Sequence, residues 1–314
     1  MTSTADLIIE RRAMRRRLAL WRILAVVAGI FAVAVVIASA GLLPSEESTR
    51  SAHIARIEIN GVITSDKDRA AELKRIAKDD QVRAVLVSIN SPGGTVTGSE
   101  ALYENLRELA EAKPMVAVMV DAAASGGYIT ALAADHIVAL GNTITGSIGV
   151  VAQAPNLAPL LEDIGVDVLR VKSAPLKAEP GLLTPPAEGA LEAQEALIDD
   201  SYAWFRGIVA ERRGLEGAAL DTVADGRAFT GRMALELGLI DALGDEAAAR
   251  SWLEETHDIG SDMRIIDRDW RDRNLSLLAR ILRGSAQAVG LDADLLAQAA
   301  PQTEPGMRLY AIMY

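Results

Sequence analysis

Short apolar runs alternate along the chain with segments that have the spacing of helices. Residues 54–59 alternate between apolar and polar positions, which is typical of a strand, and the continuous apolar runs at 83–89 and 115–120 predict more deeply buried strands. Residues 66–78 and 97–112 carry apolar side chains at helical spacing. Because strands that alternate with helices pair in parallel through right-handed crossovers, this pattern predicts an α/β fold with helices layered on a mostly parallel sheet.

The N-terminal segment has a different character. Residues 23–43 form an apolar run of 21 residues without a charge, and at about 1.5 Å per residue such a helix covers a bilayer core of roughly 30 Å. Six arginines precede it: Arg11, Arg12, Arg15, Arg16, Arg17 and Arg22. Since arginines collect on the cytoplasmic side, we predict a transmembrane helix with a cytoplasmic N-terminus. The alternative is a cleavable signal peptide ending near Ala38-Ser-Ala40, but the apolar run of such a peptide is only about 7 to 15 residues long.

Shorter elements follow in the second half of the chain. The pattern predicts a helix at 126–134, strands at 136–139 and 166–171, a long helix at 187–213, and short helices near Leu220, at 232–237 and at 245–252. The chain then divides into five parts. They are an arginine-rich N-terminus (1–22), a transmembrane helix (23–43), a linker (44–53), a globular domain (54–256) and a C-terminal tail (257–314) with an amphipathic helix at 275–296.

Charge and composition exclude several classes of function. The first 43 residues carry the six arginines against Asp6 and Glu10, which gives them a net charge of +4. Because the whole chain has a net charge of −11, the remaining residues carry a net charge of −15. Such an acidic surface repels nucleic acid. The chain has no cysteine, which excludes thiolate catalysis and cysteine-bound zinc, and its three histidines lack metal-ligand spacing. We therefore expect no metal, no cofactor and no nucleic acid partner.

The most informative motif joins the apolar run at 115–120 to the helix that follows it. In the segment Asp121-Ala-Ala-Ala-Ser-Gly-Gly-Tyr128, Ser125 lies at the turn from a strand to a helix. Its Oγ can then lie at the end of the sheet beside the first helical N–H groups, which stabilise a developing oxyanion. This is the geometry of a nucleophile. The alternative is a serine that only caps the helix.

Two other turns end strands on the same side of the predicted sheet. Asn90-Ser-Pro-Gly-Gly94 follows a strand directly, and Gly93 and Gly94 permit a backbone whose N–H groups point into a cleft and bind a carbonyl oxygen. Thr143-Ile-Thr-Gly-Ser-Ile-Gly149 brings Ser147 to the same edge. Taken alone, each segment is also explained as a tight turn.

A nucleophilic serine needs a base, and the histidines are poorly placed for that role. His53 follows the linker, and His257 lies beyond the last helix of the domain. His136 begins a strand only eleven residues after Ser125. The sequence therefore gives no convincing Ser-His-Asp triad.

Lysine is the other known partner of a catalytic serine. Lys172 and Lys177 lie at and after the end of the predicted strand at 166–171. A lysine with an ordinary pKa of about 10.4 needs that pKa lowered by about three units to act as a base near pH 7, and burial without a carboxylate partner can do this. The alternative is that both are solvated loop lysines.

Seven short motifs occur in a fixed order along the chain. They are Asn90-Ser-Pro-Gly-Gly94, Ala124-Ser-Gly-Gly-Tyr128, Ala134-Asp-His-Ile-Val-Ala139, Thr145-Gly-Ser-Ile-Gly-Val150, Asp225-Gly-Arg227, Thr230-Gly231 and Gly238-Leu-Ile-Asp241. Together they resemble signal peptide peptidase A, a family of membrane-anchored bacterial serine proteases (peptidase family S49) in the Clp/crotonase superfamily. The resemblance covers about residues 54–253 and implies a Clp/crotonase-like layered fold.

The resemblance also implies roles for individual residues. In that family the serine of Ala-Ser-Gly-Gly-Tyr is the nucleophile, which corresponds to Ser125. The general base corresponds to Lys177 rather than Lys172, and Ser147 corresponds to the serine that orients this lysine. The oxyanion hole would consist of backbone N–H groups from Gly93 or Gly94 and from Gly126. The chain departs from the family at Ile129, where a second tyrosine is common. It also departs in the loop that carries Lys177 (residues 173–180, the lysine loop), which Pro175 stiffens.

Further expectations concern location and assembly. The resemblance implies a single-pass protein of the bacterial cytoplasmic membrane, with the domain at 54–256 on the extracytoplasmic side and with lipid contacts through the N-terminal helix. It implies a homo-oligomeric ring that degrades remnant signal peptides. The absence of any nucleoside-triphosphate motif indicates that the protein works without ATP, on short or unfolded peptides. The tail at 257–314 is open to three interpretations: a docking helix, an oligomer contact or a self-substrate. Two alternative functions are a non-catalytic crotonase-like membrane scaffold, which binds peptides or acyl groups, and a Ser-His protease of the Clp type.

Overall fold

A computed structural model describes residues 51–270, together with residues 21, 22, 29, 310 and 311. The chain separates into two units, Met1–Ser51 and Ala52–Tyr314, and all elements named below lie in the second. The strands are β1 (His53–Asn60), β2 (Val82–Ser91), β3 (Gly94–Thr95), β4 (Met115–Ala124), β5 (His136–Ala139), β6 (Ile144–Gly146), β7 (Ala228–Thr230), β8 (Ala242–Leu243), β9 (Ile265–Asp267) and β10 (Tyr310–Ala311). The helices are α1 (Lys67–Lys78), α2 (Val96–Ala112), α3 (Gly126–Ala131), α4 (Ala158–Asp163), α5 (Ala190–Arg213), α6 (Gly217–Val223), α7 (Gly231–Glu236) and α8 (Glu246–His257).

The main sheet is mostly parallel. Its strands follow the order β7-β6-β4-β2-β1-β9, and β5 pairs with both β4 and β8. Within this sheet only β6 and β7 run antiparallel, whereas the long strand β4 pairs in parallel with β2 on one side and with β5 and β6 on the other. The prediction of a mixed α/β fold with a mostly parallel sheet is confirmed. A separate antiparallel pair joins β10 to β3.

Apolar side chains cover both faces of the sheet. Ile57, Val87 and Met119 belong to a large core cluster that also contains residues of α1, α2, α3 and α5. Their neighbours Leu86 and Val118 point to the opposite face, where α8 covers a smaller cluster. Because full burial of one such side chain is worth about 1.5–3 kcal/mol, the two layers fix the register of the strands and therefore the positions of the turns at their ends.

Local signals set the helix boundaries. The side chain of Asp66 accepts hydrogen bonds from the backbone N–H groups of Asp68 and Arg69 and so caps α1. Thr95 caps α2 in the same way by accepting from Gly98 N–H. The long helix α5 ends at Gly214, which has a left-handed conformation.

One predicted strand is wrong. Residues 166–171 form no strand, and in this chain Leu169 is 95% exposed and Val171 is fully exposed. The apolar residues of this segment pair with none of the strands that the structure describes, and their backbone is irregular. The predicted helices at 187–213, near Leu220, at 232–237 and at 245–252 correspond to α5, α6, α7 and α8.

Two predicted helices fall mostly or wholly on residues that the structure does not describe. The predicted transmembrane segment at 23–43 lies outside the described residues except for Gly29, and the predicted amphipathic helix at 275–296 lies wholly outside them. Among the residues that the structure does describe, no helix has the length and apolar character needed to span a membrane.

Candidate active site

Ser125 occupies a tight turn between β4 and α3, as the sequence pattern predicts. Its backbone has φ 53° and ψ −116°, a conformation that residues other than glycine rarely adopt and that costs about 1–3 kcal/mol. Two hydrogen bonds hold the turn in place, from Ser125 N–H to Gly146 O at 2.8 Å and from Ile129 N–H to Ser125 O at 2.9 Å. Backbone strain that the surroundings enforce in this way is typical of active sites.

The hydroxyl group of Ser125 is buried and makes no hydrogen bond. The residue is 1% exposed, and its Oγ has no partner among the described groups. A buried hydroxyl without a partner costs about 1–3 kcal/mol, so it does not serve stability. Its hydrogen-bonding capacity is unused, as expected of a nucleophile that has to meet a carbonyl group and a base.

Gly126 brings the Ser125 turn against the loop that follows β2. A Cβ at Gly126 would lie 2.2 Å from Ser99 Oγ and 3.2 Å from the backbone nitrogen of Gly94. Since no side chain fits at the first of these distances, the close approach requires glycine. The structure therefore brings two of the predicted oxyanion donors, Gly94 and Gly126, together beside Ser125.

The loop that contains Gly93 and Gly94 is held in place by Ile63. A Cβ at Gly94 would lie 1.8 Å from Ile63 O, and Ile63 N–H donates to Gly93 O at 2.9 Å. Gly93 N–H donates to Ser91 Oγ at 3.1 Å, so this amide is already used inside the loop. Of the two predicted donors in the loop, Gly93 is thus already used, whereas Gly94 belongs to β3 and pairs with Ala311 of β10.

Ser147 lies at the same end of the sheet as Ser125. It follows β6, whose last residue, Gly146, pairs with Ala124 at the end of β4. Its backbone also has a positive φ, 51°, and its N–H donates to Arg227 O at 2.9 Å. The two strained serines thus end adjacent parallel strands.

The two candidate lysines differ in their surroundings. Lys172 Nζ donates to Glu179 Oε1 at 2.6 Å and to Pro175 O at 2.7 Å, so it is held in an ion pair with a carboxylate. Lys177 is exposed in this chain, and its side chain forms no hydrogen bond or ion pair with any described residue, Ser125 included. The Lys172 amine is therefore bound to Glu179, whereas the Lys177 amine contacts no polar group of the described residues.

The histidines lie at the other end of the sheet. His136 pairs with Val116 at the start of β4, and at about 3.3 Å per residue the rest of that strand places it roughly 26 Å from Ala124. His136 stacks on Trp252 at a centroid distance of 4.7 Å, and burial lowers the pKa of the imidazole. His257 contacts the same tryptophan, and His53 begins β1. No histidine of this chain is therefore placed to act on Ser125.

Comparisons with known proteins relate this chain to proteases. The family model described as Clp protease matches residues 53–145, and the model described as Peptidase family S49 matches residues 107–260. A relative named putative protease slr0021, from Synechocystis, is 41% identical over 78% of this chain and 87% of its own length.

Two more distant relatives carry more specific names. The putative signal peptide peptidase SppA of Enterococcus faecium is 31% identical over 63% of this chain, and the chloroplastic serine protease SPPA of Arabidopsis thaliana is 34% identical over 55% of it. The matched regions cover 62% and 26% of those two proteins. With the motifs at Ser125 and Gly94 in place, the resemblance to signal peptide peptidase A is confirmed: the chain belongs to peptidase family S49 and is a serine protease.

Proposed function

We propose that this protein is a membrane-anchored endopeptidase in which Ser125 and Lys177 form a catalytic dyad. The observation that carries the proposal is the strained turn that presents the buried, unpaired Ser125 hydroxyl beside Gly94 and Gly126. Histidine is not available at this end of the sheet, and Lys172 is bound to Glu179. Lys177 is then the base that the surroundings favour.

The reaction follows from these positions. Ser125 Oγ attacks the carbonyl carbon of the scissile peptide bond while the neutral amine of Lys177 accepts the hydroxyl proton. Backbone N–H groups of Gly94 and Gly126 donate to the oxyanion, and one such donor is worth about 10² to 10³ in kcat. The protonated Lys177 then gives its proton to the leaving amine, and water hydrolyses the acyl-enzyme by the same route. Ser147 would orient the lysine.

We further propose that the lysine site is completed in a homo-oligomeric ring. In the single chain, the segment 151–197 exposes many large apolar side chains, namely Val151, Leu157, Leu160, Ile164, Val166, Leu169, Val171, Leu176, Leu182, Leu183, Leu191 and Leu197. Exposed apolar side chains in such number are characteristic of a protein interface. Since Lys177 lies within the segment, a neighbouring subunit that covers it would also remove the lysine from water, and a cyclic heterologous interface allows this.

The proposed substrates are remnant signal peptides and other short or unfolded peptides. The names of the relatives from Enterococcus faecium and Arabidopsis thaliana support this class of substrate. Independence from ATP is proposed because the sequence contains no nucleoside-triphosphate motif. The non-catalytic scaffold remains the second candidate function, and it requires no reactive serine.

A fluorophosphonate probe tests the proposed function directly. Wild-type protein is expected to be labelled at Ser125, because only a serine that a base activates reacts readily with this reagent. Heat-denatured protein and Ser125→Ala serve as controls and should stay unlabelled. A native, folded protein that fails to react would favour the scaffold, whereas labelling should map to a peptide that contains Ser125.

The proposed location is the bacterial cytoplasmic membrane, with the residues after 43 outside the cytoplasm. It rests on the arginine cluster before the apolar run at 23–43. A topology reporter fused after Tyr314 should then be active when it requires export and inactive when it requires the cytoplasm. The reverse pattern would contradict the proposed orientation.

A further inference from the structure

A carboxylate at the centre of the lysine loop accepts four hydrogen bonds. Glu179 Oε1 receives Lys172 Nζ at 2.6 Å and Arg170 Nη1 at 3.0 Å, and its Oε2 receives the backbone N–H groups of Gly181 at 3.1 Å and Ala187 at 3.3 Å. The Glu179 side chain is only 3% exposed, although it lies outside both core clusters. The loop is folded around this side chain.

Lys172 and Arg170 also bind the backbone on both sides of Lys177. Lys172 Nζ also donates to Pro175 O at 2.7 Å, before Lys177 in the chain. Arg170 Nη2 donates to Ala178 O at 2.9 Å, directly after it. The backbone that carries Lys177 is thus held on each side by a cation that Glu179 itself binds.

Polar contacts matter here because the loop has almost no apolar core. Leu169, Val171 and Leu176 all expose a large part of their surface in this chain. The hydrogen bond from Lys172 lowers the pKa of the Glu179 carboxyl, so the carboxylate stays ionised and bound to both cations at neutral pH. Charge-assisted bonds of this kind are roughly twice as strong as neutral ones.

From this arrangement we infer that Glu179 is a positioning residue for the reaction: it fixes the loop so that the Lys177 amine reaches the nucleophile. The inference rests on the proposed Ser125–Lys177 dyad and adds a residue that does not touch the substrate. It also gives Lys172 a role, as the main partner of Glu179 rather than as a base. The effect of Glu179 should therefore appear in kcat and depend on the presence of Lys177.

The test replaces Glu179 with glutamine in the full-length, assembled protein. Glu179→Gln keeps the size of the side chain but removes its charge, and we expect kcat for a fluorogenic peptide to fall about 10- to 100-fold with KM within about threefold of wild type, as for lost transition-state positioning. Glu188→Gln, an exposed glutamate on the same segment, is the matched control and should leave both constants unchanged. Melting temperature and oligomer size are measured alongside.

A double-variant cycle separates positioning from general stabilisation. In the Lys177→Ala background, Glu179→Gln should cause no further loss of the residual rate, because the residue through which it acts is gone. An equal loss in both backgrounds would overturn the inference and indicate a purely structural role. Should Glu179→Gln fail to fold, Lys172→Met decides the matter: kcat is expected to fall about threefold, and an unchanged kcat would overturn the inference.

The same measurements distinguish this inference from the proposed function. Full activity of Lys177→Ala would remove the dyad and the positioning role together. Loss of activity in Lys177→Ala with full activity in a folded Glu179→Gln would remove only the positioning role and leave the dyad in place.

Discussion

Ser125→Ala and Lys177→Ala should each lower peptide hydrolysis about 10⁴-fold or more while leaving the fold intact. The dyad acts as a unit, so loss of either the nucleophile or the base removes the main route through the transition state. Ser125→Ala should not lower the melting temperature, because it removes a buried hydroxyl that has no partner. Turnover of a fluorogenic peptide and thermal unfolding measure the two effects separately.

Two variants serve as controls for the base. His136→Ala should retain most of the activity, since His136 lies at the opposite end of β4 from the nucleophile. Lys172→Met should retain at least about a tenth of it, because Lys172 acts only through Glu179. An inactive but folded His136→Ala would transfer the role of base from lysine to histidine.

Mixing two inactive variants is expected to restore activity. If the serine of one subunit meets the lysine of the next, a ring that contains both Ser125→Ala and Lys177→Ala subunits has some interfaces with an intact Ser125 facing an intact Lys177. With random assembly from equal amounts, about a quarter of the interfaces are intact, so about a quarter of the wild-type rate should return. Co-expression with two different affinity tags isolates the mixed rings for assay.

The control for this experiment combines Ser125→Ala with the double variant Ser125→Ala/Lys177→Ala, in which no nucleophile remains. That mixture should stay inactive at every ratio. Mixed rings of the two single variants that also stay inactive would show that the dyad is contained within one subunit. Such a result would refute the shared site but not the assignment of the protein as a serine protease.

The sequence pattern predicts the part of the site that lies on the sheet. The run at 115–120 and the glycines after Ser125 predict a strand, a turn and a helix, and β4 and α3 have this arrangement. These elements are predictable because each is fixed by local pattern and by the core that it helps to form. The close contact of Gly126 with Ser99 follows from the packing of α2 against this turn, which no short motif encodes.

The lysine loop is the part of the site that the sequence predicts least well. The apolar residues at 166–171 have the composition of a strand but pair with none of the described strands. Glu179 carries no sequence signal, because its partners Arg170 and Lys172 precede it by nine and seven residues in a segment that forms neither a helix nor a strand. His136 follows Ser125 by only eleven residues, but the two lie far apart in space. His136 pairs with the start of β4, whereas Ser125 follows the end of that strand.

The tight contacts of Gly94 with Ile63 and of Gly126 with Ser99 have a consequence for how this enzyme can be re-engineered. A side chain at either position would overlap atoms of the neighbouring element, and at Gly94 those atoms belong to the backbone and cannot turn aside. The reactive end of the sheet therefore offers no tolerance for mutation, and a library aimed there would return mostly inactive clones. Changes in peptide preference are better sought at exposed positions of the segment 151–188 that lie outside Lys177 and the Glu179 cluster.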